Sequence, residues 1–421
     1  MICLTKFNNQ SYFIMKKLSL FLCVLLGLSV AFTSCSKDDN EGSTPSDTKN
    51  FGVPSDSEAG QMPTITANNV VIPNFSTPYV EEGTNGNVGN ISFTGIKGID
   101  GDFLALAGTG SKSQNIWMSI DGKPKSIDIV NADEITRADT KKGLADIVFL
   151  IDNSGSMSEE ANALAAQVLA WSQKLAQVVD CKFGCVGYGD NSYGIDGGMD
   201  LADIEQLNAF FNRNGSSGTS RTYGFYGERA QELQTLCLST TGGYYNGSYQ
   251  ECGALALHFA DEQFSFRSGA NRIYINFTDE PNQPNNYKQW SVETLNEKST
   301  LYNWNMSKGT VHSVYSATDV ASYEEGGYYY RYNQSSPYTY YEKPWAMSEY
   351  TGGITLKTDP YFTEFKMDDL EVTAAIVSSY ILRFNITADL REGTHTIIII
   401  IKDKNGSEAS KTFEDVVFSL K

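Results

Sequence analysis

Asp152, Ser154 and Ser156 stand at alternate positions in Asp-Asn-Ser-Gly-Ser, directly after the apolar run Ile147-Val148-Phe149-Leu150-Ile151. One carboxylate and two hydroxyls at that spacing can aim three oxygens at one point from a single turn. That donor set suits a hard divalent cation such as Mg2+ or Mn2+, which takes oxygen ligands in near-octahedral geometry and keeps some of its waters. The serines are neutral, so an ion held there retains surplus positive charge. Helix capping is the competing use of the same residues. Ser156 or Ser158 can cap the Ala-rich helical pattern that follows, and Glu159 and Glu160 complement the positive end of its dipole.

A turn of this kind has a chemical role only where the fold presents it. The run before Asp152 has no polar alternation, as expected for a parallel strand covered on both faces. Beyond it, helical and strand-like segments alternate: a helix from about 161 to 179, a strand in CKFGCVGY, helices in DLADIEQLNAFFN, ERAQELQTLCL and CGALALHFADEQF, and a strand in NRIYINFTDE. A helix in YKQWSVETLNEKS, strands in GTVHSVYSA and SEYTGGITLK, and a helix over about 361–378 complete the series. Such alternation predicts an α/β domain, a doubly wound and mostly parallel sheet, over 143–380. In such a sheet, ligands bind beyond the carboxyl ends of the strands, where Asp152 sits.

On either side lie short alternating runs separated by Gly, Asn and Asp. Residues 66–142 contain NVVIPNF, GNISFTGI, GDFLALAG, NIWMSI and SIDIVNA, with a hairpin signal at Asp121-Gly122. Residues 381–421 contain YILRFNIT, THTIIIIIKD and KTFEDVVFSL. The economical reading is one β-sandwich built from both segments, with the α/β domain inserted. A separate sandwich at each end is the alternative.

The N-terminal region reads as an address. Met15-Lys16-Lys17 is a basic start, and the apolar run from Leu18 to Phe32 is shorter than the roughly 20 residues a membrane-spanning helix needs. Residues 1–35 therefore read as a signal peptide with its true start at Met15. Cys35 follows small residues in AFTSCSKDD and resembles the lipidated cysteine of a bacterial lipobox. The Ser36-Lys37-Asp38-Asp39 tail resembles the acidic tag of lipoproteins exported to the outer face of the outer membrane. Residues 36–65, rich in Ser, Asp, Thr, Gly and Pro, read as a flexible linker. The formal net charge is −18 over 421 residues, which gives no electrostatic case for nucleic acid. Cys181, Cys185, Cys237 and Cys252 remain beyond the anchor. The first two sit in one extended run, roughly 13 Å apart and too far to bridge. Any disulfide must reach Cys237 or Cys252, or join those two. No zinc pattern is present.

Asp152-Asn153-Ser154-Gly155-Ser156, at a strand end and ahead of an Ala-rich helix, resembles the metal-ion-dependent adhesion site of the von Willebrand factor A-type (VWA) family, whose signature is Asp-x-Ser-x-Ser. The resemblance extends by strand order over about 144–380. It implies that Asp279, in INFTDEP, supplies a second carboxylate, although Glu280 replaces the usual Gly. It also implies a metal-binding Thr ahead of the preceding helix. Thr240 and Thr241 lie well upstream of that helix, whereas Glu251 stands at its start, as in the integrin β-subunit variant. Glu251 is the favoured ligand and the threonines the alternative; two carboxylates would favour Ca2+ or Mn2+ over Mg2+. The same comparison marks Glu159 and Glu160 as candidates for a second cation.

In adhesive members of that family, a carboxylate from the partner completes the ion's coordination. The surroundings suit recognition. Tyr244, Tyr245 and Tyr249 lie in one loop, and Tyr328, Tyr329, Tyr330 and Tyr332 in a tyrosine-rich stretch after VHSVYSA. Tyrosine gives large contact area at low entropic cost. A packed tyrosine face or a sugar-stacking platform are the other uses. The acidic, Gly-rich stretch 189–203 reads as a solvated loop without the EF-hand spacing. The expectation is a surface lipoprotein, not an enzyme, that binds a protein carboxylate or a glycan through a divalent cation. A subunit of a surface appendage such as a pilus is the alternative, and a carboxylate-dependent hydrolase a more distant one.

Overall fold

The computed structural model describes residues 51–83, 86–135, 143–158, 160–189, 194–213, 215–238, 251–285, 292, 308–316 and 340–420. Its centre is a seven-stranded sheet. In spatial order the strands are Thr355–Thr358, Thr310–Ser316, Asn271–Thr278, Leu144–Asp152, Asp180–Tyr188, Ile195–Ala202 and Gly224–Tyr226. All neighbours are parallel except the pair Asp180–Tyr188 and Ile195–Ala202. The chain is thus an α/β protein with a mostly parallel sheet beside separate, mostly antiparallel sheets.

The apolar run of the central strand divides its side chains between two cores. Ile147, Phe149 and Ile151 pack with Leu164, Val168 and Trp171 of the helix Glu160–Val178 and with Met367, Leu370 and Ile376. Val148 and Leu150 pack on the other face with Leu255, Leu257 and Phe259 of the helix Gly253–Gln263. Burial on both faces removes any reason for polar alternation. At the amino end of the strand, buried Asp146 accepts 2.7 Å bonds from the main-chain N and Nε of Arg267. Burial nevertheless pushes the Asp146 carboxyl upward, ahead of the lowering effect of Arg267.

A five-stranded sheet joins Ser419–Leu420, Tyr79–Glu81, Val88–Phe93, Tyr380–Asn385 and Asp128–Asn131. A four-stranded sheet joins Glu408–Val416, His395–Lys402, Ile116–Ile120 and Lys123–Lys125. Each therefore mixes strands from before and after the α/β region. Ile91, Phe93, Leu382 and Phe384 of the first meet Ile116, Met118, Ile120, Ile397, Ile399 and Ile401 of the second in one core. The Asp121-Gly122 hairpin pairs Ile120 with Lys123, and both turn residues have positive φ (51° and 75°). That conformation favours glycine and aspartate over branched residues.

Several sequence expectations change. Residues 189–203 are not a loop throughout, because Ile195–Ala202 is a strand. The helix expected over 361–378 is instead a turn, a 3-10 helix Met367–Leu370 and a short α-helix Val372–Val377, separated by Glu371 at φ 50°. Ala346–Thr351 is helical ahead of the strand Thr355–Thr358. NVVIPNF forms no strand, and GDFLALAG contributes a single bridge, Phe103 to Lys97. Among the described residues, Cys181, Cys185, Cys237 and Cys252 form no disulfide. Among the described residues, no helix is long and apolar enough to cross a membrane.

Candidate functional site

Strand register brings the carboxyl ends of four strands level. Ile151 pairs with Phe277, Asp152 with Tyr188, and Thr278 with Tyr315. The turn after Asp152 and the turn after Thr278 therefore leave the sheet side by side. Asp152 is fully buried; its Oδ1 accepts from the Ser154 main-chain N (2.8 Å) and its Oδ2 from Thr278 Oγ1 (2.7 Å). Ser154 Oγ and Ser156 Oγ share a 2.9 Å hydrogen bond, and Ser156 Oγ donates to Asp279 Oδ1 at 3.2 Å. Side-chain oxygens from two connections thus form one line from the buried Asp152 outward to exposed Ser156 and part-exposed Asp279.

Glu251 comes from a third connection, just ahead of the helix Gly253–Gln263. It meets the others at Gly189. A methyl group at Gly189 would lie 3.0 Å from Asp152 Oδ1 and 3.3 Å from Glu251 Cγ, and Gly189 has φ +101°. Only glycine suits both the backbone and the space. Gln283 Nε2 donates to Glu251 Oε2, and the Gln283 main-chain N to the Glu251 carbonyl at 2.9 Å.

The electrostatics are those of crowded acids. Burial drives the Asp152 carboxyl well above the usual range, and the charges of Glu251 and Asp279 push it the same way. Burial, then Glu280, carries Glu251 up to about 7, with Asp279 adding to the effect. Asp279 and Glu280 are raised mainly by burial, Glu280 also by Asp279. Among the described residues, no three His, Cys, Asp or Glu side chains are grouped closely enough to form a cage by themselves. The donor set that fits a cation is therefore mixed: carboxylates completed by serine hydroxyls. An oxygen-only set suits a hard cation that keeps water ligands.

Of the residues expected from sequence, Asp152, Ser154, Ser156 and Asp279 are joined by hydrogen bonds, and Glu251 lies within electrostatic reach of Asp152. Glu160 is buried at the start of its helix. Glu159, Thr240, Thr241, Tyr244, Tyr245, Tyr249, Tyr328, Tyr329, Tyr330, Tyr332 and Cys35 lie outside the described residues. Acids of the 189–203 stretch have separate duties. Asp200 binds Arg229 and Ser265, and Asp203 caps the helix Ile204–Phe211. Sequence reasoning missed Thr278, whose hydroxyl also accepts from the Glu280 main-chain N (3.0 Å). Its position beside Asp279 was the available signal. Asn153, Tyr188 and Gln283 had no comparable signal.

No protein-family model and no curated protein matches the chain. Solved structures similar to it include proximal thread matrix protein 1 (PTMP1) from the mussel byssus, solved with a zinc-occupied MIDAS motif. That match has 12% identity, covers 61% of this chain and 49% of that one, and has a TM-score of 0.28. The pilus adhesin SpaC from Lactobacillus rhamnosus GG matches at 11% identity, 81% and 56% coverage, and a TM-score of 0.27. The minor pilin PilB from Streptococcus sanguinis matches at 10%, 75% and 79%, and 0.27. This chain spans about half the length of the mussel protein.

Proposed function

We propose that the chain is a surface lipoprotein, anchored through Cys35, whose VWA-type domain binds a partner's carboxylate through a divalent cation. Asp152, Ser154, Ser156 and Asp279 would hold the ion, with Glu251 beside them. The observation that carries this reading is the meeting of acids from three connections at one sheet edge, each raised by burial, with Asp152 and Glu251 raised further by neighbouring carboxylates. Repulsion among buried carboxylates is costly unless they are protonated or share a cation. When bound, the cation supplies a positive centre for an anionic group. The chain's own part is to hold the inner oxygens in a buried turn and to leave Ser156 at the surface. Exclusion of water at a protein contact strengthens that attraction. Tyrosines 244, 245, 249, 328, 329, 330 and 332 would supply surrounding contact area.

Calorimetric titration of chelated protein with Mg2+, Mn2+ and Ca2+ tests the reading. We expect saturable binding of at least one ion by about 1 mM, the weak end of extracellular calcium modules, and its loss in Asp152→Ala. Absence of binding for all three would sink it. Palmitate labelling of cells expressing the wild type and Cys35→Ala tests the anchor; equal labelling would remove that part.

A further inference from the structure

The serine turn is supported from behind by a segment that no sequence motif marks. Asn153, only 1% exposed, is held at three points. Its main-chain N donates to the Tyr188 carbonyl at 2.7 Å. Its side-chain Oδ1 accepts from Thr222 Oγ1, and its Nδ2 donates to Asp196 Oδ2 at 3.3 Å. Thr222, also buried, ends the 3-10 turn Gly218–Thr222. The same turn is bound to the helix that follows the serines: the Gly218 main-chain N and Arg221 Nε both donate to Asn162 Oδ1 at 3.0 Å. Arg221 Nη1 donates to the Phe211 carbonyl at 2.8 Å, and Arg213 Nη2 to the carbonyls of Arg221 (3.0 Å) and Tyr223. The 3-10 turn therefore grips the serine turn on both sides, at Asn153 before it and at Asn162 after it.

Space has been cleared for this contact. A methyl group on Gly187 would fall 2.5 Å from Asn153 Nδ2 and 2.8 Å from Thr222 Oγ1. On Gly197 it would fall 2.5 Å from the Thr222 carbonyl. The geometry points to Thr222 and Asn153 as a positioning pair for the cation site. By fixing the Asn153 side chain, Thr222 sets the peptide that aims the Ser154 N–H at Asp152 Oδ1, and so the direction of the Asp152 carboxylate. Neither residue needs to touch the ion. Groups that orient metal ligands typically change metal affinity by about 10–100-fold when removed.

This inference rests on the cation reading above, and its test separates the two. Mn2+ affinity would be measured by calorimetry for the wild type, Thr222→Val and Thr222→Ser, with thermal unfolding of each in EDTA. Valine keeps the shape and removes the hydroxyl; serine restores it. We expect Thr222→Val to bind Mn2+ about 10-fold or more weakly while remaining folded in EDTA, and Thr222→Ser to recover wild-type affinity. If the wild type binds no Mn2+, the cation reading fails and this one with it. If the wild type binds and Thr222→Val binds equally well, only the positioning role is refuted. Should Thr222→Val not fold, Asn153→Ala takes its place with the same expectation. Wild-type affinity in folded Asn153→Ala then overturns the proposal.

Discussion

Glu251 offers a measurable consequence of crowding. In the chelated protein its carboxyl rises from an ordinary 4.5 to about 7, through burial and then through Glu280. The folded chain therefore holds this proton to higher pH than the unfolded chain does. Between pH 4.5 and 7 the native state binds more protons, so the contribution of this group to stability falls as pH rises. The full displacement corresponds to about 3 kcal/mol at 1.36 kcal/mol per tenfold change in proton affinity. Glu251 is partly exposed, and solvent screening reduces the figure to about 2 kcal/mol. Glu251→Gln removes the charge and keeps an amide oxygen that can accept from Gln283. Urea unfolding in EDTA at pH 5 and pH 8 should show the wild type losing about 2 kcal/mol more than Glu251→Gln over that interval. Saturating Mn2+ at pH 8 should reverse the advantage, because a ligand at 100 times its Kd adds about 2.7 kcal/mol to a native state that binds it. Equal pH dependence of the two proteins in EDTA would refute the electrostatic account of the site.

Asp152→Asn should be at least as stable as the wild type in EDTA and should lose cation binding. Its amide oxygen can accept from Ser154, and the Thr278 hydroxyl can turn to the Glu280 carbonyl 3.1 Å away; calorimetry and thermal unfolding check both halves. Gly189→Ala places a methyl group 3.0 Å from Asp152 Oδ1 at φ +101°. It should destabilise the fold by about 1–3 kcal/mol and weaken Mn2+ binding, read by the same two measurements. Arg267→Met leaves Asp146 buried without its partner and should cost about 3–5 kcal/mol in urea unfolding. It should leave Mn2+ affinity unchanged, because Asp146 lies at the opposite end of its strand from Asp152.

Legibility varied with how local the determining forces are. The central strand Leu144–Asp152 and the helix after it were readable, because continuous burial and helical periodicity are properties of adjacent residues. So was the Asp121-Gly122 turn, where two residues with positive φ decide the hairpin. The strand Ile195–Ala202 was not, because Gly197, Gly198 and two aspartates argue against a strand. Its glycines serve close approach: a methyl group on Gly197 would sit 2.4 Å from the Gly224 main chain. The break at Glu371 was equally hidden. Trp171 Nε1, on the helix Glu160–Val178, donates to Thr373 Oγ1 of Val372–Val377, a contact 202 positions apart in sequence.

The amino-acid order alone determined that Asp152, Ser154 and Ser156 share one turn at a strand end, since a turn of five residues is set by its own backbone and by the apolar run before it. It also determined the alternation of helix and strand that places such a turn at a sheet edge. Only the tertiary structure decided which distant oxygens face that turn. Asp279 arrives because two parallel strands pair in a register that levels their ends. Glu251 arrives because Gly189 leaves it room, and Thr222 because Gly187 and Gly197 let two main chains come close. Pairing register and close approach depend on residues far apart in the chain, so no local pattern could record them.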